Sequence, residues 1–177
     1  VWLALNLTFA YVFNYIAYAT GSGNFAADPA TAGLLADLLP EAIPGVYTGG
    51  LPMFGGAIMM ILGALAAGSG FGWGAWKTVL TQGPGRLTAF GGTLLALGAV
   101  VVAILVGQLV LDFGASILIA TVESQPLVWP DAAELVQSFG GGLLISAMWA
   151  AAGVRIGVLT KSPAIAVGLG LVWSLVV

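Results

Sequence analysis

The residues with the clearest chemical potential are polar side chains that interrupt long apolar runs. Tyr11, Asn14, Tyr15 and Tyr18 recur at helical spacing in the first run, so a helix would carry them on one face. Their chemistry is hydrogen bonding rather than the making or breaking of bonds. Polar groups inside a bilayer face other helices or a cavity. This face therefore either bonds to a neighbouring helix or lines a pathway for an amphipathic substrate, and Tyr11, Asn14 and Tyr18 are the pathway candidates.

Gln108 and Asp112 form a second polar pair, four residues apart and so on one helix face. Asp112 is the one acidic residue within an apolar run. It lies roughly 37 Å along a helix from Leu87 at 1.5 Å per residue, which would bring it to the outer headgroups. The pair is interpreted either as an ordinary interfacial feature or as part of an exit path or dimer contact.

Motifs for catalysis and metal binding are missing from the sequence. There is no histidine and no cysteine, which removes the commonest general base and the thiolate metal ligands. The glycine-rich run "GSGFGWG" misses the GxGxxG spacing, and there is no GxxxxGK[ST]. We therefore expect no catalytic residue, no metal site, no cofactor held by this chain and no nucleic-acid partner.

The composition is that of a membrane protein. Of 177 residues, 60% are hydrophobic and 6% are charged, with a mean hydropathy of +1.08. A soluble domain carries about 25% charged residues. The sequence predicts one all-α transmembrane domain over residues 1–177. Because it starts and stops inside apolar runs, we expect the domain to continue beyond both ends.

Five apolar runs are candidate spans, since roughly 20 apolar residues cross a bilayer. They are Val1–Thr20, Leu51–Gly68, Leu87–Val122, Phe139–Val158 and a run opened by Pro163. The third is too long for one perpendicular helix, so it either tilts strongly or breaks near Gly107 or Gly114. Short amphipathic helices on the membrane surface are predicted at 31–43, ended by Pro40 and Pro44, and at 131–137.

The charges separate by sign along the chain. All four basic residues lie in or beside the stretches 69–86 and 155–162, whereas the stretches 21–50 and 123–138 carry only acidic charges. Basic residues in short loops mark the cytoplasmic side. The sequence therefore predicts a multi-pass protein of the bacterial cytoplasmic (inner) membrane, with the two basic loops inside.

Small residues follow a helical pattern in the fourth run. Gly142, Ser146 and Ala150 recur every four residues, and Gly153 and Gly157 form a GxxxG pair. Such ridges let helix backbones approach closely. They indicate either packing within the chain or a dimer interface.

The first basic loop has the most distinctive sequence, "GWGAWKTVLTQGPGR". Trp73, Trp76, Lys77 and Leu80 fit one short helix, and Gly-Pro-Gly is a strong turn signal. From the pattern alone, the loop is either an aromatic and basic interface belt or a docking surface for a cytoplasmic partner.

Residues 63–97 resemble the second span, first cytoplasmic loop and third span of bacterial ABC-2-type transporter permeases. The matching positions are Gly68, Ser69, Phe71, Gly74, Trp76, Lys77, Thr78, Leu80, Thr81, Pro84, Arg86 and Gly92. Two positions depart from the family pattern: Gly70 replaces an acidic residue and Thr93 replaces a lysine.

The resemblance implies an ABC-2-type exporter fold, with five visible spans of six, acting as a homo- or heterodimer with a second permease protomer. A separate or fused ATP-binding cassette ATPase would supply ATP and Mg²⁺, so this chain itself would not be an enzyme. The loop would transmit the ATPase motion through Trp73, Trp76, Lys77, Thr78, Leu80, Thr81 and Arg86. The substrate class implied is small or amphipathic. The alternatives are a stand-alone channel or secondary transporter, and a structural membrane protein without transport.

Overall fold

A computed structural model of the chain describes residues 1–20, 29–72 and 85–176, and within these ranges the regular structure is helical, with no strand. Two helices are long and apolar enough to cross a membrane, Leu87–Val122 and Ala132–Thr160. The prediction of a helical chain with helices of spanning length is confirmed to this extent.

The N-terminal helix covers residues 2–20 in three parts: α1 (Trp2–Asn6), a π-helical stretch (Leu7–Val12) and α2 (Phe13–Thr20). The later elements are α3 (Pro29–Ala36), a 3-10 turn (Pro40–Ala42), α4 (Ile43–Gly49), a second π-helical stretch (Leu51–Gly55), α5 (Gly56–Gly72), α6 (Arg86–Val122), α7 (Ala132–Thr160) and α8 (Pro163–Val176).

Helix α6 is continuous through the positions where a break was expected. It runs for 37 residues without interruption at Gly107 or Gly114, so of the two alternatives, a strong tilt or a break, the break is excluded. At 1.5 Å per residue the helix is about 54 Å long, which exceeds the roughly 30 Å of a hydrocarbon core. Glycine is tolerated inside such a helix because the backbone hydrogen bonds are retained.

The predicted surface helix at 131–137 and the fourth span are one element. Both belong to α7, which begins at Ala132. The Ser138 hydroxyl at the expected boundary donates to the Leu135 carbonyl, and this bond stays within the helix. With no proline at the boundary, nothing in the backbone ends the helix there.

The segment before the second span differs from the single amphipathic helix that was expected. Helix α3 ends at Ala36, before Pro40, and Pro44 lies in the first turn of α4 rather than at a helix end. Proline is well tolerated at a helix start because the amide hydrogen it lacks would have no partner there.

This segment packs against the rest of unit 1 through Leu38. Leu38, fully buried, forms an apolar cluster with Tyr11 of the N-terminal helix and Ile119 of α6. Burying a leucine side chain contributes about 2 kcal/mol. Part of the apolar face that predicted membrane contact is therefore in contact with protein.

The chain divides into two compact units. Unit 1 comprises Val1–Gly50 and Ile104–Gly142, and unit 2 comprises Leu51–Ala103 and Leu143–Val177. All seven acidic residues of the sequence fall in the ranges of unit 1, and all four basic residues fall in those of unit 2. Helices α6 and α7 contribute residues to both units.

Within unit 2, α5 and α7 approach each other closely. A Cβ atom added at Gly153 would overlap the Met60 carbonyl oxygen, and one added at Gly157 would lie 2.8 Å from the Ala64 carbonyl oxygen. The interpretation of this GxxxG pair as packing within the chain is confirmed. The contact positions increase together, from Gly153 with Met60 to Gly157 with Ala64, so α5 and α7 run in the same direction.

Candidate functional site

Three polar side chains lie on the buried face of α6. Gln108, Asp112 and Ser116 follow one another at four-residue spacing, and all three are fully buried. Burying a polar group without a hydrogen-bond partner costs several kcal/mol. The arrangement therefore requires matching groups on a neighbouring element.

The N-terminal helix supplies these groups. Trp2 Nε1 donates to Gln108 Oε1 at 2.8 Å. Asn6 Nδ2 donates to Asp112 Oδ1 at 2.7 Å. We call Trp2, Asn6, Tyr11, Gln108, Asp112 and Ser116 the buried polar row.

The third step of the row depends on the π-helical stretch. Ser116 Oγ lies 3.5 Å from the Tyr11 hydroxyl. The N-terminal helix therefore advances five residues, from Asn6 to Tyr11, over the distance in which α6 advances four, from Asp112 to Ser116. A regular helix would bring Ala10 to this position instead. The π-helical stretch Leu7–Val12 supplies the extra residue. Single π turns inside helices occur often at functional sites.

The pairing also fixes the relative direction of the two helices. Partners in the row are separated by 106, 106 and 105 residues along the chain. A nearly constant separation means that the positions advance together. The N-terminal helix and α6 are therefore parallel, which is the relation expected of a first and a third span.

Helix α4 closes one end of the row. The Tyr47 hydroxyl donates to the Leu105 carbonyl at 3.1 Å, and Gln108 Nε2 donates to the Tyr47 carbonyl at 3.1 Å. Tyr47 is fully buried and its ring stacks on that of Phe139. Three elements of unit 1 are thus joined through Gln108.

One atom of the row remains unsatisfied. Asp112 Oδ2 is buried and has no hydrogen-bond partner within the described part of the chain. A lone carboxylate oxygen in an apolar helix is costly, and ionisable residues in such positions are functional candidates. The geometry leaves Asp112 able to accept one more hydrogen bond.

A separate polar contact lies beyond the row, where α6 ends. The Tyr15 hydroxyl donates to Glu123 Oε1 at 2.9 Å, and the Tyr18 hydroxyl donates to Glu123 Oε2 at 3.2 Å. The two tyrosine rings are 6.2 Å apart between centroids. Both oxygens of this carboxylate are therefore held by phenolic hydroxyls.

Two grooves flank these contacts within unit 1. An apolar groove of about 670 Å³ lies between the N-terminal helix and α6 and includes Tyr11 and Tyr15 in its walls. A polar groove of about 620 Å³ is lined by Asn14 together with the carboxylates of Asp37, Glu41 and Glu134. Both volumes fall in the range of small-molecule sites.

The structure divides the predicted pathway residues between these features. Tyr11, Gln108 and Asp112 lie in the buried polar row, and Tyr18 lies beside Glu123. Asn14 points elsewhere: its amide donates to backbone carbonyls of its own helix, at 2.9 Å for Ala10, and it lines the polar groove. The part of these five residues in a substrate pathway stays a prediction.

The coupling-loop residues Trp73, Trp76, Lys77, Thr78, Leu80 and Thr81 lie outside the described residues. Arg86 begins α6.

Sequence reasoning missed several members of the site. Trp2, Asn6, Tyr47, Ser116 and Glu123 were not predicted as site residues. A usable signal existed for Asn6 and Ser116, because each is a polar residue within an apolar run. Trp2 and Tyr47 carried no such signal, since aromatic residues are common in membrane helices and at their ends.

Comparison of the chain with protein-family models, with curated proteins and with solved structures found no match.

Proposed function

We propose that the chain is the membrane-spanning permease subunit of an ATP-driven exporter of the ABC-2 type in the bacterial inner membrane. It pairs with a second permease protomer and with an ATP-binding cassette ATPase that binds ATP and Mg²⁺. The substrate is a small or amphipathic molecule. The observation that carries the proposal is the sequence of residues 63–97, whose loop motif resembles that family.

The helices on either side of that motif support the proposal. Helix α5 ends at Gly72, one residue before Trp73, and α6 begins at Arg86. The motif therefore connects two apolar helices through a short segment, as a coupling loop between a second and a third span would.

The parallel pairs support the proposed order of spans. The N-terminal helix is parallel to α6 in unit 1, and α5 is parallel to α7 in unit 2. Spans that alternate across a membrane have the first parallel to the third and the second parallel to the fourth. Both relations agree with the proposed order of the first four spans.

The charge at the helix ends supports one orientation in the membrane. Helix α6 begins at Arg86 and is followed by Glu123, whereas α7 carries Glu134 in its first turn and is followed by Lys161. Each helix thus has a basic end and an acidic end, in opposite chain directions. With basic ends inside, the stretches 69–86 and 155–162, which include the last residues of α5 and α7, are cytoplasmic.

Cysteine labelling tests this orientation, and the sequence has no native cysteine. Ala133→Cys, at an exposed position of α7, is expected to react with a membrane-impermeant maleimide in intact cells. Gly83→Cys is expected to react only after permeabilisation. Reaction of both variants in intact cells would contradict the orientation.

The coupling role is tested by Trp76→Ala. An aromatic anchor at an interface contributes about 2 kcal/mol, which corresponds to roughly thirtyfold weaker binding. We expect the ATPase retained on the purified permease and the ATP-dependent transport both to fall, with normal membrane insertion.

Trp129→Ala is the matched control for the coupling test. Trp129 is an exposed tryptophan that packs on Phe113 in unit 1. We expect this change to leave ATPase binding unaltered. If Trp76→Ala assembles with the ATPase and transports like the wild type, the coupling role is contradicted and the loop is an aromatic belt at the membrane interface.

A second candidate function is an ion-coupled secondary transporter. Asp112 favours it, because a fully buried carboxylate lies inside a helix of spanning length and one of its oxygens has no hydrogen-bond partner among the described residues. Ionisable residues in such positions mark ion and proton pathways. Under this alternative, transport would follow an ion gradient and would not require ATP.

A further inference from the structure

The apolar groove of unit 1 has the shape of a site for one extended chain. Its walls are the N-terminal helix and α6, and on α6 they extend from Val110 to Val122. That distance is about 18 Å at 1.5 Å per residue. Gly114 lies in the wall, where an added Cβ would meet no described atom within 4 Å. The groove therefore has open space at Gly114 and an almost wholly apolar lining.

One end of the groove is aromatic and acidic. Tyr15 is a wall residue whose hydroxyl donates to Glu123, and Glu123 directly follows the last wall residue on α6. Tyr18 donates to the second oxygen of the same carboxylate. All three side chains are partly exposed, so a ligand in the groove can reach them.

The charge at this end is not balanced within unit 1. No lysine or arginine occurs in the sequence ranges of that unit. Phenolic hydroxyls stabilise a carboxylate by donating hydrogen bonds, but they do not neutralise it. A cation is the complementary partner, and the faces of tyrosine rings attract ammonium groups within about 6 Å.

We propose that this groove binds a cationic amphiphile, an apolar chain with an ammonium head, with the chain along the N-terminal helix and α6 and the head at Tyr15, Tyr18 and Glu123. The inference deepens the proposed function, on which it rests for its physiological meaning, by naming a substrate class. An anionic head would be repelled by Glu123, and a neutral head would gain neither the charge nor the cation–π attraction.

The experiment is equilibrium binding of dodecyltrimethylammonium to the purified chain in nanodiscs of zwitterionic lipid, with empty nanodiscs as the background. Dodecyl glucoside and dodecyl sulfate are the neutral and anionic comparisons with the same chain. We expect saturable binding of the ammonium compound, about tenfold tighter than that of the glucoside. Equal binding of all three amphiphiles would overturn the proposal.

Two variants assign the binding to this groove. Glu123→Gln retains a hydrogen-bond acceptor for the tyrosines and removes the charge, so we expect the preference for the ammonium head to disappear. Gly114→Leu fills open space, so we expect weaker binding of every amphiphile. Wild-type binding in both variants would overturn the proposal.

Each variant has a matched control. Glu134→Gln removes a carboxylate from the polar groove, and Gly98→Leu adds the same side chain to α6 at a position in unit 2 that is also open among the described residues. We expect neither to change binding. If Glu134→Gln instead removes the preference for the ammonium head, the cation binds in the polar groove and the proposal is wrong.

The outcomes separate this inference from the exporter proposal. Binding is measured without ATP and without an ATPase. If the chain binds the ammonium compound selectively but pairs with no ATPase, the binding site is supported and the exporter function is contradicted. If ATP-dependent transport is independent of the charge of the head group, the exporter function is supported and the binding site is contradicted.

Discussion

Asn6→Leu is expected to destabilise the protein by about 2 kcal/mol, because it removes the donor from a buried carboxylate. Asn6 Nδ2 is the described hydrogen-bond donor to Asp112 Oδ1, at 2.7 Å, and Asp112 is fully buried. With that donor lost, neither carboxylate oxygen has a partner within the described residues. The measurement is reversible unfolding in mixed micelles of increasing denaturing-detergent fraction.

The double variant Asn6→Leu/Asp112→Leu separates an unsatisfied group from a lost contact. Replacing both partners by apolar groups of similar shape is nearly neutral, so the double variant is expected to recover most of the stability. If it is less stable than Asn6→Leu alone, the row is held by something other than this pair.

Asn14→Leu is the control, on the same helix and with the same change of side chain. The Asn14 amide donates only to backbone carbonyls of its own helix among the described residues, so its loss is expected to cost less than about 0.5 kcal/mol. A change in substrate preference in this variant would assign Asn14 to the pathway. Equal destabilisation by Asn6→Leu and Asn14→Leu would contradict the conclusion that the hydrogen bonds of the buried polar row stabilise the fold.

Gly153→Ala is the second change with a large expected effect. The new Cβ would overlap the Met60 carbonyl oxygen of α5, and a backbone atom cannot rotate away as a side chain can. Helices α5 and α7 would have to separate, at a cost of about 2 kcal/mol by comparison with overpacked cores. The free energy of unfolding measures this cost.

Gly141→Ala, on the same helix, is the matched control. An added Cβ at Gly141 meets no described atom within 4 Å, and alanine favours a helix over glycine by about 1 kcal/mol. We therefore expect opposite signs for the two changes. A Gly153→Ala variant that unfolds like the wild type but no longer dimerises would show that the GxxxG pair is an interface between protomers.

Apolar runs predicted the helices of this chain better than turn chemistry predicted their ends. The continuous apolar sequence from Leu87 to Val122 is one helix, as its composition favours. The boundary expected at Ser138 failed because a change from polar to apolar sequence does not end a helix unless a proline or a cap interrupts the backbone. Pro44 was misread because proline begins helices as readily as it ends them.

The candidate site was predictable only where a polar residue stood alone among apolar ones. Gln108 and Asp112 carried that signal, and both lie in the buried row. The position of Tyr11 opposite Ser116 was not predictable, since it depends on a π-helical stretch that shifts the register by one residue. The link from Tyr15 to Glu123 joins residues 108 positions apart, and helical spacing within one segment contains no information about such a pair.

The most direct test of the exporter proposal is whether an ATP-binding cassette ATPase co-purifies with the full-length protein from its native membrane. The proposal predicts a stable complex, with transport into inside-out vesicles that requires ATP and persists when ionophores collapse the ion gradients. Purification without an ATPase, together with transport that stops on adding an ionophore and ignores ATP, would contradict it and would assign the chain to the ion-coupled transporters.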